Sequence, residues 1–224
     1  MRNWTQTAKN IHQVKRFKPI LMVLAFLFQG YSSAHVLDDW TARSSASMKT
    51  QIGNHWTVAG TYYLYLHDNI SRYDRSVLGG DIKYQVNSWM KVGFNYRWGI
   101  QKAADYHDLR YYLYMEPKLK SDRWRFSFQT TLQQKLEKGE ASDYFWRNKV
   151  KGAYKISKVL KLYAFTENYL RLNKSFGYYT QKSAVGSSFH IKKESDLEIQ
   201  FTHLNKIKHK NYGRLEINYI YTFR

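Results

Sequence analysis

The sequence predicts an all-β fold, an antiparallel transmembrane β-barrel of about ten strands, with twelve as the other count open to it. Three observations point there: a period-two sorting of apolar from ionic side chains, an aromatic-rich yet hydrophilic composition, and connections that alternate between short and long. Residues 89–100, WMKVGFNYRWGI, show the first most sharply. Met90, Val92, Phe94, Tyr96, Trp98 and Ile100 share one parity, and Lys91, Gly93, Asn95, Arg97 and Gly99 the other. A period of two places these sets on opposite faces of a strand. A single such strand would suit half of a soluble sandwich equally well. Its repetition along the chain selects a wall with lipid outside and water inside.

The composition agrees. Aromatics make up 17% of the 224 residues, with 20 Tyr and only 2 Pro, yet the mean hydropathy is −0.64. Aromatic girdles on one face and polar residues on the other produce this combination. Disordered chains are poor in aromatic and β-branched residues, so disorder is excluded. The formal net charge of +19 favours anionic partners, nucleic acid or phosphate-rich lipid. The absence of cysteine excludes disulfides, thiolate metal sites, a cysteine nucleophile and lipoprotein acylation.

Residues 1–34 read as a cleaved signal peptide. A basic, acid-free leader (Arg2, Lys9, Lys15, Arg16, Lys18) precedes the apolar run ILMVLAFLF, and Ser32-Ser33-Ala34 supplies small residues for cleavage. Without those five bases the formal charge is about +14. The apolar run is too short to span a bilayer, and no later window is apolar enough for a transmembrane helix. A membrane-spanning mature chain must then be a closed barrel.

Residues 35–55 form an N-terminal periplasmic or first-strand segment, within which 40–49 is the weakest β candidate, rich in Ser and small residues. The barrel is expected over 56–224. Trp56, Val58, Gly60, Tyr62, Leu64 and Leu66 share a face; Leu78, Ile82, Tyr84 and Val86 oppose Asp81, Lys83 and Gln85. Leu109, Tyr111, Leu113 and Met115 oppose Asp108, Arg110, Tyr112, Tyr114, Glu116 and Lys118. Trp124, Phe126, Phe128 and Leu132 oppose Arg125, Ser127, Gln129 and Gln133. Arg147, Lys149, Lys151 and Lys155 share a parity opposite Trp146, Val150, Tyr154 and Ile156. Each cation would cost about 2–4 kcal/mol at mid-depth in hydrocarbon, so they must line an interior. Leu160, Leu162 and Ala164 oppose Lys161, Tyr163, Phe165 and Glu167, and 178–191 is a poorer strand with Gly and Ser on both faces. Leu197, Ile199 and Phe201 oppose Glu198, Gln200 and Thr202. Last, Leu215, Ile217, Tyr219, Tyr221 and Phe223 oppose Arg214, Glu216 and Asn218.

Connections near Asn87, Ser121, Ser157 and Lys193 are short, whereas 68–75, 101–106, 137–142, 173–177 and 205–211 are longer and polar. Short periplasmic turns facing longer outer loops are the asymmetry of an outer-membrane barrel. Ten spans follow from Trp56. Counting 40–49 makes eleven, against the even number of bacterial barrels.

The candidate site is a lumenal charge network: Asp81, Arg97, Arg110, Glu116, Arg125, Arg147, Lys149, Lys151, Glu167, His190, Glu198, Arg214 and Glu216. Short-turn pairing predicts Lys149 opposite Glu167, His190 opposite Glu198, Asp81 diagonal to Arg97 and Glu116 diagonal to Arg125. Such pairs contribute about 0.2–1 kcal/mol each. They either fill a narrow barrel or line a narrow, anion-favouring pore at Arg97, Arg110, Arg147, Lys149 and Lys151. The basic loop with Lys206, Lys208, His209 and Lys210 is either solvated charge or a contact for lipopolysaccharide phosphates. No GxSxG, HExxH or Gly-rich phosphate motif occurs, so no catalytic, cofactor or metal residues are assigned. Two alternatives stay open: a lipid-acting outer-membrane enzyme using His190 or Glu167, and a soluble basic β protein binding nucleic acid. The second is disfavoured because aromatics and cations lie on opposite strand faces, whereas a stacking platform wants them together.

Trp40, Trp56, Tyr96-Arg97, the strand carrying Arg110, Tyr114 and Glu116, the Trp124-led strand, the run Arg147, Lys149, Lys151, Tyr154, and the single Glu167 together resemble the outer-membrane barrels grouped as the domain-of-unknown-function 2490 family. The resemblance covers the mature chain. It implies a Gram-negative outer-membrane barrel and carries no activity with it. Expected partners are outer-membrane lipid, lipopolysaccharide and the barrel-assembly machinery, which would read Tyr219, Tyr221 and Phe223. No nucleic acid is expected, and the chain is expected to be a monomer.

Overall fold

The computed structural model describes residues 39–101, 107–173, 177–206 and 211–223. The expected signal segment lies outside them, as do Lys208, His209, Lys210 and the side chain of Lys206. The described residues form eleven strands: β1 Asp39–Ile52, β2 Trp56–His67, β3 Arg72–Gln85, β4 Met90–Gln101, β5 His107–Lys120, β6 Trp124–Glu137, β7 Asp143–Lys155, β8 Leu160–Arg171, β9 Gly177–Lys192, β10 Ser195–Lys206 and β11 Tyr212–Phe223. Each bonds the next antiparallel, and β1 bonds β11, so the sheet closes on itself without a free edge.

The two-residue sorting decides which way each strand faces. Outward go Leu113, Leu119, Trp146 and Val150, with Leu119 as much as 74% exposed. Arg147, Lys149 and Lys151 point the other way, into the lumen. Aromatics gather on the outward face near the short-turn rim, where Trp56 lies 4.8 Å from Tyr84, Trp124 4.7 Å from Tyr154 and Tyr221 4.8 Å from Phe223. Trp40, Tyr144, Trp146 and Tyr178 stand outward toward the other rim. Leu, Ile, Val, Met and Phe occupy the band between. The short turns are held by local side-chain acceptors. Asn87 Oδ1 takes the amides of Trp89 (3.0 Å) and Met90 (2.8 Å), and Ser157 Oγ those of Val159 (3.1 Å) and Leu160 (3.0 Å).

The strand count departs from the even number expected: eleven, between ten and twelve. Residues 40–49 belong to β1, a full strand of the wall. Their hydropathy barely alternates, because Ala42, Ser44 and Ala46 face out while Ser45 and Ser47 face in. Partners settle the orientation instead. Arg43 reaches Glu216, Ser45 Oγ donates to Asn218 Oδ1 (2.7 Å), and Ser47 and Thr61 hydroxyls meet at 2.8 Å. With an odd count β1 and β11 run the same way, and the seam is parallel, Arg43 beside Glu216 and Ser45 beside Asn218. An even count follows only when the closing pair is antiparallel.

Two glycines let tyrosines lean across the wall. A Cβ on Gly93 would lie 2.4 Å from the Tyr114 ring and 2.9 Å from the Ile82 carbonyl; one on Gly186 would lie 2.7 Å from Tyr163 and 2.8 Å from the Ile199 carbonyl. Tyr114 on β5 thereby passes over β4 to donate to Asp81 on β3 (3.0 Å), and Tyr163 on β8 passes over β9 to Gln200 on β10 (3.3 Å). The missing side chain is what admits each ring. Gly93→Ala and Gly186→Ala should each destabilise the barrel by about 1–3 kcal/mol through overpacking. Gly60→Ala, with nothing within 4 Å of its Cβ, should be neutral. The temperature at which the fast-migrating unboiled gel band is lost measures this.

Candidate functional site: the barrel lumen

Inward-facing side chains of the loop-side half build a belt. Arg43 on β1 lies over the Tyr63 ring on β2 (5.4 Å), and Arg97 on β4 over Tyr63 (5.0 Å) and over Tyr112 on β5 (5.1 Å). Arg147 on β7 lies over Tyr112 (5.3 Å) and over Tyr169 on β8 (4.4 Å). Cation and ring alternate from β1 to β8, each contact contributing about 0.5–2 kcal/mol. A buried carboxylate anchors each end. Glu216 and Thr202 are 0% exposed. Glu216 meets Arg43, Lys182 Nζ at 3.5 Å, Gln200 Nε2 at 3.0 Å and Thr202 Oγ1 at 3.1 Å. Glu167 accepts from Arg147 Nη2 (2.6 Å) and Nε (3.1 Å) and from the Tyr169 hydroxyl (3.3 Å). Arg147 Nη1 donates to Gln133 Oε1 at 2.9 Å. Nearer the loops, Asp108 binds Arg110 and lies 3.7 Å from Arg75, and Arg171 is 3.5 Å from Asp143.

Below the belt, toward the short turns, the lumen opens into a cavity of about 420 Å³. Its cations include Lys49, Lys83, Arg97 and Arg147, and its carboxylates are Asp81 and Glu116. Both carboxylates are engaged, Asp81 with Lys83 (2.5 Å) and Tyr114, and Glu116 with Lys118 (3.0 Å).

The family model described as "Protein of unknown function (DUF2490)" matches residues 40–214. The chain belongs to this family. Among solved structures, the DUF2490 chain is similar to a NanC porin at 12% identity and a TM-score of 0.52, over 80% of this chain and 94% of that one. It is also similar to an anion-selective porin from Comamonas acidovorans at 10% identity and a TM-score of 0.41, over 80% of this chain and 55% of that one. The first likeness is one of fold. No curated protein matches the sequence.

The predicted pairings of this DUF2490 barrel meet the structure unevenly. Lys149 stands opposite Glu167 in register, but Arg147 holds the carboxylate, and the Lys149 ammonium sits 3.9 Å from the Phe165 ring centre. Lys151 likewise faces Tyr163, at 4.1 Å. Asp81 is diagonal to Arg97 by register, yet it binds Lys83 and Tyr114. Two pairings are corrected. His190 pairs with Asp196 (2.8 Å), not Glu198, because the register of β9 with β10 sets it two residues nearer the turn, and the one-residue irregularity at Ser195/Asp196 makes only part of that offset. Glu198 stands opposite Ser188 and Asn218. Arg125 stands opposite Lys120, too far along β5 for Glu116, which takes Lys118 on its own strand instead. Arg125 lines the short-turn rim with Lys120, Lys155 and Lys161. Arg214 donates to Thr41 Oγ1 (3.2 Å) and lies over Tyr65 (5.5 Å).

The expectation that aromatics and cations segregate by face fails for tyrosine. Tyr63, Tyr65, Tyr112, Tyr163 and Tyr169 share the lumenal face with the cations they cover. Period two marked that parity as polar and so hid their role. An Arg and a Tyr on the same inward parity of nearby strands was the signal for them. Removing one member of a buried charge cluster costs about 3–5 kcal/mol, since its partners stay behind. Glu216→Gln should therefore lower the melting temperature of the folded barrel more than Lys118→Gln, whose pair with Glu116 is partly exposed. Thermal unfolding in detergent compares the two.

Proposed function

We propose that the protein is an outer-membrane β-barrel of a Gram-negative bacterium whose lumen is a narrow, anion-favouring passage. The membrane reading is supported by the contiguous apolar outer surface, far larger than soluble monomers expose, with aromatics toward both rims. Strands of 12 to 16 residues exceed the 9–11 or so that a tilted strand needs to cross a bilayer. On this reading the short turns are periplasmic and the longer loops external. The outward Tyr219, Tyr221 and Phe223 of β11 offer the terminal aromatic strand to the assembly machinery, the loop basic residues meet lipopolysaccharide phosphate, and the closed sheet, with no edge to share, suits a monomer.

The observation that carries the passage is the unbalanced charge of the 420 Å³ cavity, where both carboxylates are engaged while Lys49 and Arg97 make no ion pair among the described residues. The belt narrows the lumen above it, so large solutes are excluded. The lipid-acting alternative fits less well. Ser188 and His190 share the inward parity, away from the apolar face where an acyl chain would lie.

Reconstituted in a planar bilayer under a potassium chloride gradient, the protein should give small conductance steps whose reversal potential shifts toward that of chloride. Silent bilayers would remove the passage and leave a purely structural barrel.

A further inference from the structure

We propose that the lumenal cavity is a binding site for a small, water-soluble oxyanion, phosphate or carboxylate, built on Arg97. This rests on reading the lumen as an anion-favouring passage, and it names the class of solute held there.

Arg97 differs from the other arginines of the belt in what its edges do. The Arg147 guanidinium is committed to Glu167 and Gln133, and Arg43 and Arg110 bind Glu216 and Asp108. Arg97 spends only Nε, on Asn95 Oδ1 at 3.1 Å. Its two terminal nitrogens have no hydrogen-bond partner among the described residues. They are also not sealed away from the cavity, as the Nε atoms of Arg43, Arg75 and Arg110 are sealed from solvent. The Tyr63 and Tyr112 rings lie close to the guanidinium, at 5.0 and 5.1 Å, and fix its orientation without satisfying its edge donors. A planar fork so held and left open matches the paired oxygens of a carboxylate or phosphate.

The surroundings supply the rest of such a site. Lys49 adds a second cation with no ion pair among the described residues, and Ser47, Thr61, Gln129 and Thr131 add hydroxyl and amide groups. Asp81 and Glu116, the groups that would repel an anion, are already bound to lysines. At about 420 Å³ the cavity has room for a small oxyanion and part of its hydration shell, and none for a polymer. Its lining faces the lumen, away from the apolar outer surface, which favours a solute drawn from water over a lipid headgroup.

The test titrates sodium phosphate, and separately sodium acetate, into the full-length barrel in detergent by calorimetry, with chloride adjusted to constant ionic strength. Saturable binding is expected, weakened at least tenfold in Arg97→Gln, less in Arg97→Lys, several-fold in Lys49→Gln, and unchanged in Lys158→Gln in the turn at 156–159. The unboiled gel band verifies the fold of each variant. Should Arg97→Gln not fold, Arg97→Lys and Lys49→Gln decide the question. No saturable heat with either anion, or equal binding by wild type and the folded cavity variants, overturns the proposal. Silent bilayers with saturable phosphate binding would reject the passage and retain the site. Anion-selective steps that phosphate neither blocks nor accompanies with binding would do the reverse.

Discussion

A narrow lumen with more cations than carboxylates has to find other partners for its guanidinium and ammonium groups, and that constraint organises this barrel. Leaving charges bare in a partly dehydrated interior costs several kcal/mol each. Tyrosine faces fill the deficit. The series Arg43, Tyr63, Arg97, Tyr112, Arg147, Tyr169 crosses the inner wall from β1 to β8, and Phe165 and Tyr163 do the same for Lys149 and Lys151. The few buried carboxylates then serve as fixed anchors, each shared among several donors.

The same economy of carboxylates divides the lumen into two zones. Toward the loops, Glu167 and Glu216 tie neighbouring strands together and the interior is filled. Toward the short turns, lysines and hydroxyls surround open volume. Wall geometry supports the division, because Gly93 and Gly186 let tyrosines reach over an intervening strand and close polar contacts two strands away. The filled half ties the strands together, and the open volume lies in the other half.

Closure also shapes the energetics. The parallel β1–β11 seam joins a strand of small, weakly sorted residues to the last strand, and the Arg43–Glu216 contact lies across it. That contact pins the register of a strand whose own sequence specifies it poorly. The Asn69 amide, donating to Asp39 Oδ1 at 2.9 Å, ties the β2–β3 loop to the start of the same strand.

Much of the architecture was readable from the chain. Alternation in residues 89–100 and 143–156 assigned inward and outward faces, and turn residues at Asn87 and Ser157 placed the short rim. Residues 40–49 stayed open between a periplasmic piece and a first strand, because Ala, Ser and Thr differ too little in hydropathy for period two to register. The site was read only in outline. Parity put Arg97, Arg147, Glu167 and Glu216 on one surface, but pairing depends on the register between strands, which parity does not give, as at His190 and Asp196. Outside β1, whose orientation its partners settle, the sequence by itself determined which side chains enter the lumen, since period two is a property of each strand alone. Only the tertiary structure decided which of them meet, how many strands close the wall and which guanidinium keeps a free edge, because those depend on register and curvature summed around the whole cylinder.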